Sequence, residues 1–528
     1  MHSVPLRRGL FALLLAGAVL APFGTAATQA APAPAPGPVA GCQPVDGSQR
    51  WLLSQPRVVN SHFGTSLAIA DFDRNGAGDL AVGAPRDLGG GQVYVYPGGT
   101  AGPDLAKALA HDTATEFGTA LASGDVNRDG YQDLVVGAPG AVVLFRGGPA
   151  GLATGTRYEA GLAAGDRLGA ALAVGDFNGD GYADVAAGAP GRRAGAGAVV
   201  VFAGSATGLK QARLIVQERN GGRSEAGDRF GAALAAGDLD GDGRAELAVG
   251  APGEAPGRAR AGGAVTVVRG RGPATVLTQA SLGGAVERGD QFGAALAIGD
   301  VNGDRRPELA IGVPGEAPGP APAGGVTHIV DGALLRQEAA GAVTERGDAF
   351  GTAIAIGDID RDGAGDVVIG VPGEEALLLG GSRTGVHAGR PVTESLAIEP
   401  GARMGAAVAI GDHTGDGRPE LAIAAPNMLI AGHAGSGAVR VVAGLTPGLA
   451  GITVVGAPTT TSAVLGVRTT RPVLVRIQYR ETGQTVWTTV LARRRMVLSG
   501  LRPATSYEYR GVVGCEVDPL SNGTFRTA

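Results

Sequence analysis

Short apolar runs recur through most of the chain, separated by turns rich in aspartate and glycine. Apolar residues alternate with small ones in Phe117–Gly124, which is typical of a β-strand. Residues 133–138 form a second apolar run that ends before Pro139, and residues 141–145 form a third. A weaker fourth run follows in most copies, such as residues 212–217. The pattern predicts repeated units of four antiparallel strands.

One motif recurs seven times without a change of internal register. It opens with a Phe-Gly pair or a close variant, at Phe63, Phe117, Leu168, Phe230, Phe292, Phe350 and Met404. An aspartate follows eight residues later, and a Gly-Ala-Pro element or its variant follows twelve residues after that. The distance between motifs varies from 51 to 62 residues. A constant core with variable connections predicts an all-β fold, a seven-bladed β-propeller.

The first strand of each unit is rich in Gly and Ala, which favours an innermost position where blades crowd the central axis. The last copy has no fourth strand of its own before the composition changes. Residues 50–54 lie upstream of Phe63 about where fourth strands precede the later Phe-Gly pairs. We therefore predict that this segment completes the last blade and closes the ring, which removes exposed sheet edges.

Each unit carries an acidic loop of the pattern Asp-x-Asp/Asn-x-Asp/Asn-Gly-x-x-Asp/Glu. Side chains at positions one, three, five and nine offer oxygen ligands, which suit a hard cation such as Ca²⁺. Asp-rich turns also form without metal, but the seven loops place 23 of the 49 acidic residues in ligand columns. We predict several structural Ca²⁺ ions, held in five loops by Asp71, Asp73, Asn75, Asp79, Asp125, Asn127, Asp129, Asp133, Asp176, Asn178, Asp180, Asp184, Asp238, Asp240, Asp242, Glu246, Asp358, Asp360, Asp362 and Asp366.

Two loops depart from this pattern. In the fifth, which starts at Asp300, Arg305 replaces the turn glycine and puts a cation beside the site. In the seventh, which starts at Asp412, Thr414 takes the third ligand position. We expect these two loops to bind calcium weakly or not at all.

From Phe-Gly to Gly-Ala-Pro, the unit resembles the FG-GAP repeat of integrin α-subunit propellers and their bacterial relatives. The resemblance covers about residues 50–444. It implies that a ligand, an unknown protein or glycan, binds on the loop face opposite the acidic hairpins. The long segments Gly253–Gly263 and Gly315–Gly325 are candidate contacts by their length.

The motif ends after Gly444, and strand-like alternation of another kind follows. Residues 501–507 contain Leu501, Pro503, Thr505 and Tyr507, which resemble the tyrosine corner of a fibronectin type III domain. We therefore expect a small fibronectin type III-like β-sandwich over residues 452–528, with Trp487 in its core.

The start of the chain is typical of an export signal. Arg7 and Arg8 precede the short apolar run Leu10–Leu20, and small residues follow. We predict a signal peptide over residues 1–30, an Ala/Pro-rich linker over 31–48, a propeller over 49–446 and no transmembrane span, so the protein is expected to be secreted and extracellular. Residues 39–42 resemble a lipoprotein cleavage box placed too far from the apolar run, so lipid anchoring stays an alternative to free secretion.

The chain has two cysteines, Cys42 and Cys515. If the N-terminal strand closes the last blade, Cys42 lies near the start of the C-terminal module that carries Cys515. A disulfide between them is one alternative, and two unpaired thiols are the other. We expect a monomer.

Two tripeptides, Arg288–Asp290 and Arg346–Asp348, spell Arg-Gly-Asp. Both precede a Phe-Gly pair, where other copies read Ala-Gly-Asp, so Gly-Asp belongs to the repeat and the arginine is incidental. An adhesive role for these tripeptides is therefore not expected.

The net charge of −5 without charge blocks argues against nucleic acid as a partner. No nucleophile, zinc or acid–base motif stands out, so catalytic residues and an enzyme are not expected. The sequence favours a calcium-binding scaffold for cell-surface or extracellular ligand binding or adhesion. The alternatives are an extracellular hydrolase or lyase acting on polysaccharide or phospholipid, and a purely structural surface protein.

Overall fold

The structure is a computed structural model, and its described residues all belong to one compact unit, Pro44–Ala528. The described ranges are 50–54, 60–99, 107–109, 116–257, 259–270, 272–317, 323–340, 344–372, 375–386, 390–391, 401–429, 435–442, 449–455, 457–469, 475–491, 495–513 and 516–528. The predicted signal peptide and linker, Cys42 and Cys515 all lie outside these ranges. Among the described residues, no helix is long and apolar enough to cross a membrane.

Seven four-stranded antiparallel sheets form the larger part of the protein. Blade 1 contains β2 (Ser66–Ala70), β3 (Asp79–Ala84), β4 (Gln92–Tyr96) and β5 (Lys107–Leu109). Blade 2 contains β6 (Leu121–Gly124), β7 (Asp133–Ala138), β8 (Ala141–Phe145) and β9 (Thr156–Glu159). Blades 3 and 4 contain β10 (Leu172–Gly175), β11 (Asp184–Gly188), β12 (Val199–Ala203), β13 (Lys210–Ile215), and β14 (Ala233–Gly237), β15 (Glu246–Ala251), β16 (Ala264–Val268), β17 (Thr275–Leu277). Blades 5 and 6 contain β18 (Ala295–Gly299), β19 (Glu308–Val313), β20 (Val326–Ile329), β21 (Leu334–Leu335), and β22 (Ala353–Gly357), β23 (Asp366–Val371), β24 (Glu375–Leu379), β25 (Arg390–Pro391). This architecture confirms the predicted seven-bladed propeller.

The last blade is built from both ends of the propeller sequence. It contains β26 (Ala407–Gly411), β27 (Glu420–Ala425), β28 (Ala438–Val442) and, as its outer strand, β1 (Arg50–Ser54). Strand β1 runs antiparallel to β28, with Arg50 opposite Val442 and Ser54 opposite Ala438. This pairing confirms the prediction that the N-terminal segment completes the last blade. Leu53 of β1 is buried in a cluster with Phe63 and Leu80, so the strand also packs toward blade 1.

The innermost strand of each blade contacts the innermost strand of the next, and β2 contacts β26, so the ring is closed. Glycines make this close approach possible. A Cβ atom on Gly83 would lie 2.1 Å from the carbonyl oxygen of Gly118 in blade 2, and one on Gly137 would lie 2.0 Å from that of Gly169 in blade 3. The Gly-Ala-Pro glycine of one motif therefore faces the Phe-Gly glycine of the next, which explains why both belong to the repeat.

The aromatic residue of each motif fills the space between adjacent blades. Phe292, for example, is fully buried among Val265 and Val267 of blade 4 and Leu309 and Ile311 of blade 5. Burying one such side chain contributes about 1.5–3 kcal/mol. The equivalent side chains of the other six motifs are also fully or almost fully buried: Phe63, Phe117, Leu168, Phe230, Phe350 and Met404.

Short helical turns occur on the connections between strands. Within the described ranges they are five 3₁₀ turns and one distorted α-turn, α1: Asp87–Gly89, Ala164–Asp166, Arg192–Gly195 (α1), Gln217–Arg219, Gln279–Leu282 and Gln337–Ala340. Each lies on the face opposite the acidic loops, because it joins strands two and three of one blade or the fourth strand of one blade to the first of the next. We call this side the loop face and the other side the acidic face.

The C-terminal residues form two further sheets. One has the order β29-β30-β33 and the other β32-β31-β34-β35. The strands are β29 (Leu449–Val454), β30 (Ser462–Thr469), β31 (Val475–Glu481), β32 (Thr488–Leu491), β33 (Arg495–Ser499), β34 (Ser506–Val513) and β35 (Glu516–Arg526). The buried Tyr507 hydroxyl accepts a hydrogen bond from the backbone N–H of Arg502 at 2.9 Å, as a tyrosine corner requires. Membership of the fibronectin type III family stays a prediction.

The expectation that Trp487 lies in the core of this module is wrong. Its side chain is only half-buried, because it precedes β32 on the outer surface of the four-stranded sheet. The guanidinium groups of Arg480 and Arg510 lie 4.2 and 4.1 Å from its ring centroid. Cation–π stacking with two arginines from neighbouring strands therefore takes the place of core packing.

Candidate metal sites and the opposite loop face

The acidic loops, numbered 1 to 7 along the chain, share one backbone conformation that the first aspartate holds in place. In loop 1, Asp71 Oδ1 accepts the N–H of Asn75 at 3.1 Å, and Asp71 Oδ2 accepts the N–H of Gly76 at 2.9 Å. Asp73 Oδ1 accepts the N–H of Asn75 as well, at 3.0 Å. Gly76 has a φ of +90°, a conformation that favours glycine. The loop thus turns its side-chain oxygens toward one point.

The carboxylate at position nine anchors each loop to the blade. Asp79 is buried, and it accepts the N–H groups of Phe72 at 3.1 Å and of Gly98 at 2.9 Å. In loop 2, Asp133 accepts the N–H groups of Val126 and Gly147 in the same way. This carboxylate therefore links its loop to the turn after the third strand. It also lies next to the candidate metal position.

Five loops bring three carboxylates together, with one oxygen of each within 4.8 Å of the others. Such a set of hard oxygen donors fits Ca²⁺. The groups are Asp71, Asp73 and Asp79; Asp238, Asp240 and Glu246; Asp300, Asp304 and Glu308; Asp358, Asp360 and Asp366; Asp412, Asp416 and Glu420. Loops 2 and 3 have Asn127 and Asn178 at position three, so an amide oxygen replaces one carboxylate there.

Loops 5 and 7, which we expect to be weak sites, thus also gather three carboxylates. In loop 5 the N–H of Arg305 bonds to Asp300 Oδ2 at 2.7 Å, and Arg305 adopts a φ of +70° where the other loops have glycine. In loop 7 the hydroxyl of Thr414 donates to Glu420 Oε1 at 3.1 Å. The backbone of both loops is preserved, so their expected weakness rests on side-chain chemistry alone.

Burial shifts the titration of the anchoring carboxylates. It raises the pKa of Asp79 and Asp133 to about 6, of Asp366 to about 8 and of Glu420 to about 7. Backbone N–H donors oppose this rise, and neighbouring loop aspartates add to it in Asp79, Asp133 and Asp366. Carboxylates that resist ionisation when alone become favourable ligands when a cation compensates their charge.

A pH prediction follows for the metal-free protein. Because the folded pKa of Asp366 exceeds its unfolded value, the folded state binds more protons between about pH 4 and pH 8, and the free energy of unfolding falls as pH rises across that window. We expect calcium-depleted protein to melt at a higher temperature at pH 5.5 than at pH 8, as measured by calorimetry. Asp366→Asn should flatten this dependence. A melting temperature of the depleted wild type that rises with pH would contradict the prediction.

A histidine joins loops 7 and 1 where the ring closes. His413 is fully buried, and its Nδ1 lies 2.7 Å from the carbonyl oxygen of Gly78. The N–H of Gly78 donates to the carbonyl oxygen of Asp412, and the N–H of Gly99 donates to that of His413 at 2.8 Å. Burial lowers the pKa of His413, so its imidazole is neutral in the contact between loops 7 and 1, which we call the seam. The histidine is a structural element of the seam.

The repeat model of the family described as "FG-GAP repeat" matches this chain seven times. The matched residues are 63–96, 117–154, 168–202, 230–268, 292–329, 350–385 and 404–442. Each match begins at the first residue of one motif and covers, to within one residue, the three inner strands of one blade.

The chain is an FG-GAP repeat protein with an integrin α-like propeller.

Relatives of this FG-GAP protein include integrin α-subunits. Integrin alpha-PS2 of Drosophila melanogaster is 35% identical over 231 residues, which are 39% of this chain and 16% of that protein. Integrin alpha-3 of Cricetulus griseus is 40% identical over 107 residues, or 18% of this chain and 10% of that protein. A phosphatidylinositol-glycan-specific phospholipase D of Rattus norvegicus is 40% identical over 91 residues, which are 15% of this chain and 11% of that protein. The chain thus spans less than a fifth of the length of these relatives.

The loop face of the FG-GAP propeller carries a second repeated set of polar residues, which we did not predict. In blade 4, Gln217 Nε2 donates to Glu254 Oε2 at 2.5 Å, and the carboxyl groups of Glu254 and Asp228 are neighbours. In blade 5, Gln279 donates to Glu316 at 2.5 Å beside Asp290. The sequence signal was present, since glutamines 217, 279 and 337 each precede an aspartate by eleven residues.

These clusters also explain the Arg-Gly-Asp tripeptides. Asp290 is only 1% exposed and accepts the N–H of Glu287 at 2.5 Å, so its carboxylate serves the turn before the Phe-Gly pair. Asp348 is buried in the equivalent position and accepts the N–H of Glu345. Neither aspartate is presented to a receptor, which agrees with the interpretation that Gly-Asp belongs to the repeat.

Proposed function

We propose that this protein is an exported, calcium-binding propeller scaffold that binds an extracellular or cell-surface ligand through its loop face. The observation that carries this proposal is the division of the ring into two chemically different faces. The acidic face repeats one conserved loop seven times, whereas the loop face varies from blade to blade. Repetition is typical of structural roles and variation is typical of recognition.

Calcium would act as a structural ion on the acidic face. Side-chain oxygens at positions one, three, five and nine would hold it in loops 1, 2, 3, 4 and 6, with an amide oxygen at position three in loops 2 and 3. The ion would neutralise the crowded carboxylates and fix the hairpin between the first two strands of a blade. The carboxylate clusters support this assignment.

The loop face has the variation that selective binding needs. In blade 2, only Pro139 and Gly140 separate β7 from β8, whereas in blade 4 residues 252–263 separate β15 from β16. The segment Gly253–Gly263, an expected contact, lies on this face because it follows the second strand of its blade. A rigid ring that carries loops of different length is a common design for binding proteins.

An enzymatic function is the second candidate, because a phosphatidylinositol-glycan-specific phospholipase D is 40% identical to this chain over 91 residues. An extracellular hydrolase or lyase would act on phospholipid or polysaccharide. Product release from such substrates by the purified full-length protein would favour this candidate over the scaffold.

The test of the scaffold is adhesion of protein-coated beads to surfaces that carry defined glycans or matrix proteins, with calcium and with chelator. We expect calcium-dependent adhesion to at least one surface. A variant in which residues 252–263 are replaced by the Pro-Gly turn of blade 2 should lose adhesion. Its melting temperature should fall, because backbone bonds such as the one from Phe292 N–H to the carbonyl oxygen of Gly262 are lost, but it should stay above the temperature of the assay. Equal adhesion by the two proteins, or adhesion to no surface, would contradict the proposal.

A further inference from the structure

Six arginines lie on three neighbouring segments of the loop face, where the chain enters blade 4. The segments are α1 of blade 3, the connection between β13 and β14, and the connection between β15 and β16. We call these residues the arginine patch: Arg192, Arg193, Arg219, Arg223, Arg229 and Arg260.

Backbone hydrogen bonds hold the three segments side by side. The N–H of Arg229 donates to the carbonyl oxygen of Gly195 at 2.7 Å, which joins the connection to the end of α1. The N–H of Gly253 donates to the carbonyl oxygen of Asp228 at 3.0 Å, which joins the same connection to the next loop. The backbone of the three segments is therefore fixed, and Arg260 lies at the far end of the third segment, where its carbonyl oxygen accepts the N–H of Gly289.

The patch has a clear excess of exposed positive charge. All of its arginines except the half-buried Arg192 are exposed. Among the described residues, its one ion pair joins Arg193 to Glu218 at 3.6 Å, and both side chains remain largely exposed, at 62% and 43%. The only other exposed acidic side chain on the three segments in the described part is Glu225.

Two further acidic groups lie in this region. Asp228 is 3% exposed and accepts the N–H of Glu225, and the partly exposed Glu254 accepts a hydrogen bond from the buried Gln217. Burial raises the pKa of both carboxyl groups. Their hydrogen bonds hold the turn, so on the described part of the three segments five exposed arginines accompany two exposed acidic side chains, Glu218 and Glu225.

One guanidinium nitrogen of the patch has an unfilled hydrogen-bonding capacity. The Nη1 atom of Arg192 is buried and has no hydrogen-bond partner. A buried donor without a partner is unfavourable, so rotation of this guanidinium group toward an anionic acceptor at the surface is favoured. Arginine also presents paired N–H groups that match a carboxylate.

The patch offers little of what a folded protein partner would need. Among the described residues, the one exposed large apolar side chain of blades 3 and 4 is Leu214, at 39%. Protein interfaces depend on a central cluster of buried aromatic or aliphatic anchors, whereas a flexible polyanion needs spaced positive charges. The surface therefore fits an extended, acidic and hydrophilic chain.

We propose that the arginine patch binds an acidic polysaccharide, with successive uronic acid carboxylates on successive arginines. This inference rests on the proposed ligand-binding function and names the class of ligand for the loop face. Because the contacts are exposed ion pairs, binding is expected to weaken steeply between 50 and 300 mM salt.

The experiment measures binding of the full-length protein to polygalacturonate by surface plasmon resonance, with neutral dextran as the comparison polysaccharide. The variant Arg219→Gln/Arg223→Gln/Arg260→Gln should bind at least about tenfold more weakly, because each lost ion pair removes a small and similar contribution. The matched control Arg146→Gln/Arg383→Gln/Arg526→Gln makes the same charge change in exposed arginines outside the patch and outside the acidic loops, and it should bind within twofold of wild type.

Three results would overturn the inference: unchanged binding by the patch variant, an equal loss in the control variant, or preference of the wild type for poly-glutamate or DNA over polygalacturonate. The scaffold proposal has a separate outcome. Calcium-dependent bead adhesion to a neutral or proteinaceous surface, retained in the patch variant, would contradict the acidic polysaccharide and leave the scaffold standing. Both variants replace exposed side chains, and their melting temperatures should equal that of wild type.

Discussion

Removal of calcium is expected to lower the melting temperature of the protein by more than about 10 °C, and added calcium should restore it. An ion at 100 times its dissociation constant stabilises the folded state by about 2.7 kcal/mol per site. Five occupied loops distributed round the ring would act together, because each fixes the hairpin between the first two strands of its blade. Scanning calorimetry of the full chain at pH 7.5, with calcium and with chelator, measures the change.

Single-loop variants separate structural ions from nonspecific charge effects. Asp240→Asn in loop 4 should reduce the calcium-dependent part of the stability, whereas Asp304→Asn in loop 5, which we expect to bind weakly, should leave that part almost unchanged. Equal melting temperatures of the wild type in calcium and in chelator would show that the loops are metal-free turns. The propeller itself would be unaffected by that result, since it follows from strand pairing.

Loss of strand β1 is expected to have the second large effect. A chain that starts at residue 55 lacks five residues that pair with β28, and it lacks Leu53, which is buried between blades 7 and 1. The free energy of unfolding should fall by at least about 3–5 kcal/mol, and the exposed edge of β28 should promote aggregation. Denaturant unfolding and light scattering measure the two effects.

A chain that starts at residue 49 is the matched control, because it keeps β1 and loses only what precedes it. Leu53→Ala provides a graded variant if the shorter chain does not fold, with an expected cost of about 2–5 kcal/mol. Wild-type stability and solubility of the chain that starts at residue 55 would contradict the role of β1 in ring closure.

The repeat explains why so much of the fold could be predicted. The glycines and aromatic residues of the motif touch the equivalent residues of the next blade, as Gly83 and Gly118 do, so packing constraints appear in the sequence at a constant spacing. Ring closure by β1 could be predicted for the same reason, since one fourth strand was missing at the end and one extra strand stood at the start.

Features that do not repeat, or that depend on partners far away in sequence, were harder to predict. Trp487 was assigned to a core because tryptophan is usually buried, but its surroundings depend on Arg480 and Arg510 on other strands. Gln217 is not predicted, because an isolated glutamine carries no chemical signal. What marks it is the eleven-residue spacing between a glutamine and an aspartate, which recurs in three copies: Gln217 and Asp228, Gln279 and Asp290, and Gln337 and Asp348. The carboxylates of loops 5 and 7 come together although Arg305 replaces the turn glycine in one loop and Thr414 replaces a ligand in the other, so the backbone geometry tolerates both changes.

The pairing of β1 with β28 has a consequence for how the protein is made. The two strands are separated by about 390 residues, so the first strand to leave the ribosome has no partner until almost the whole propeller has been synthesised. Blades 1 to 6 can form one after another from local hairpins, but blade 7 must wait for a long-range encounter. Assembly of this ring therefore ends where the chain begins, and the N-terminal segment has to stay available and unaggregated until that final step.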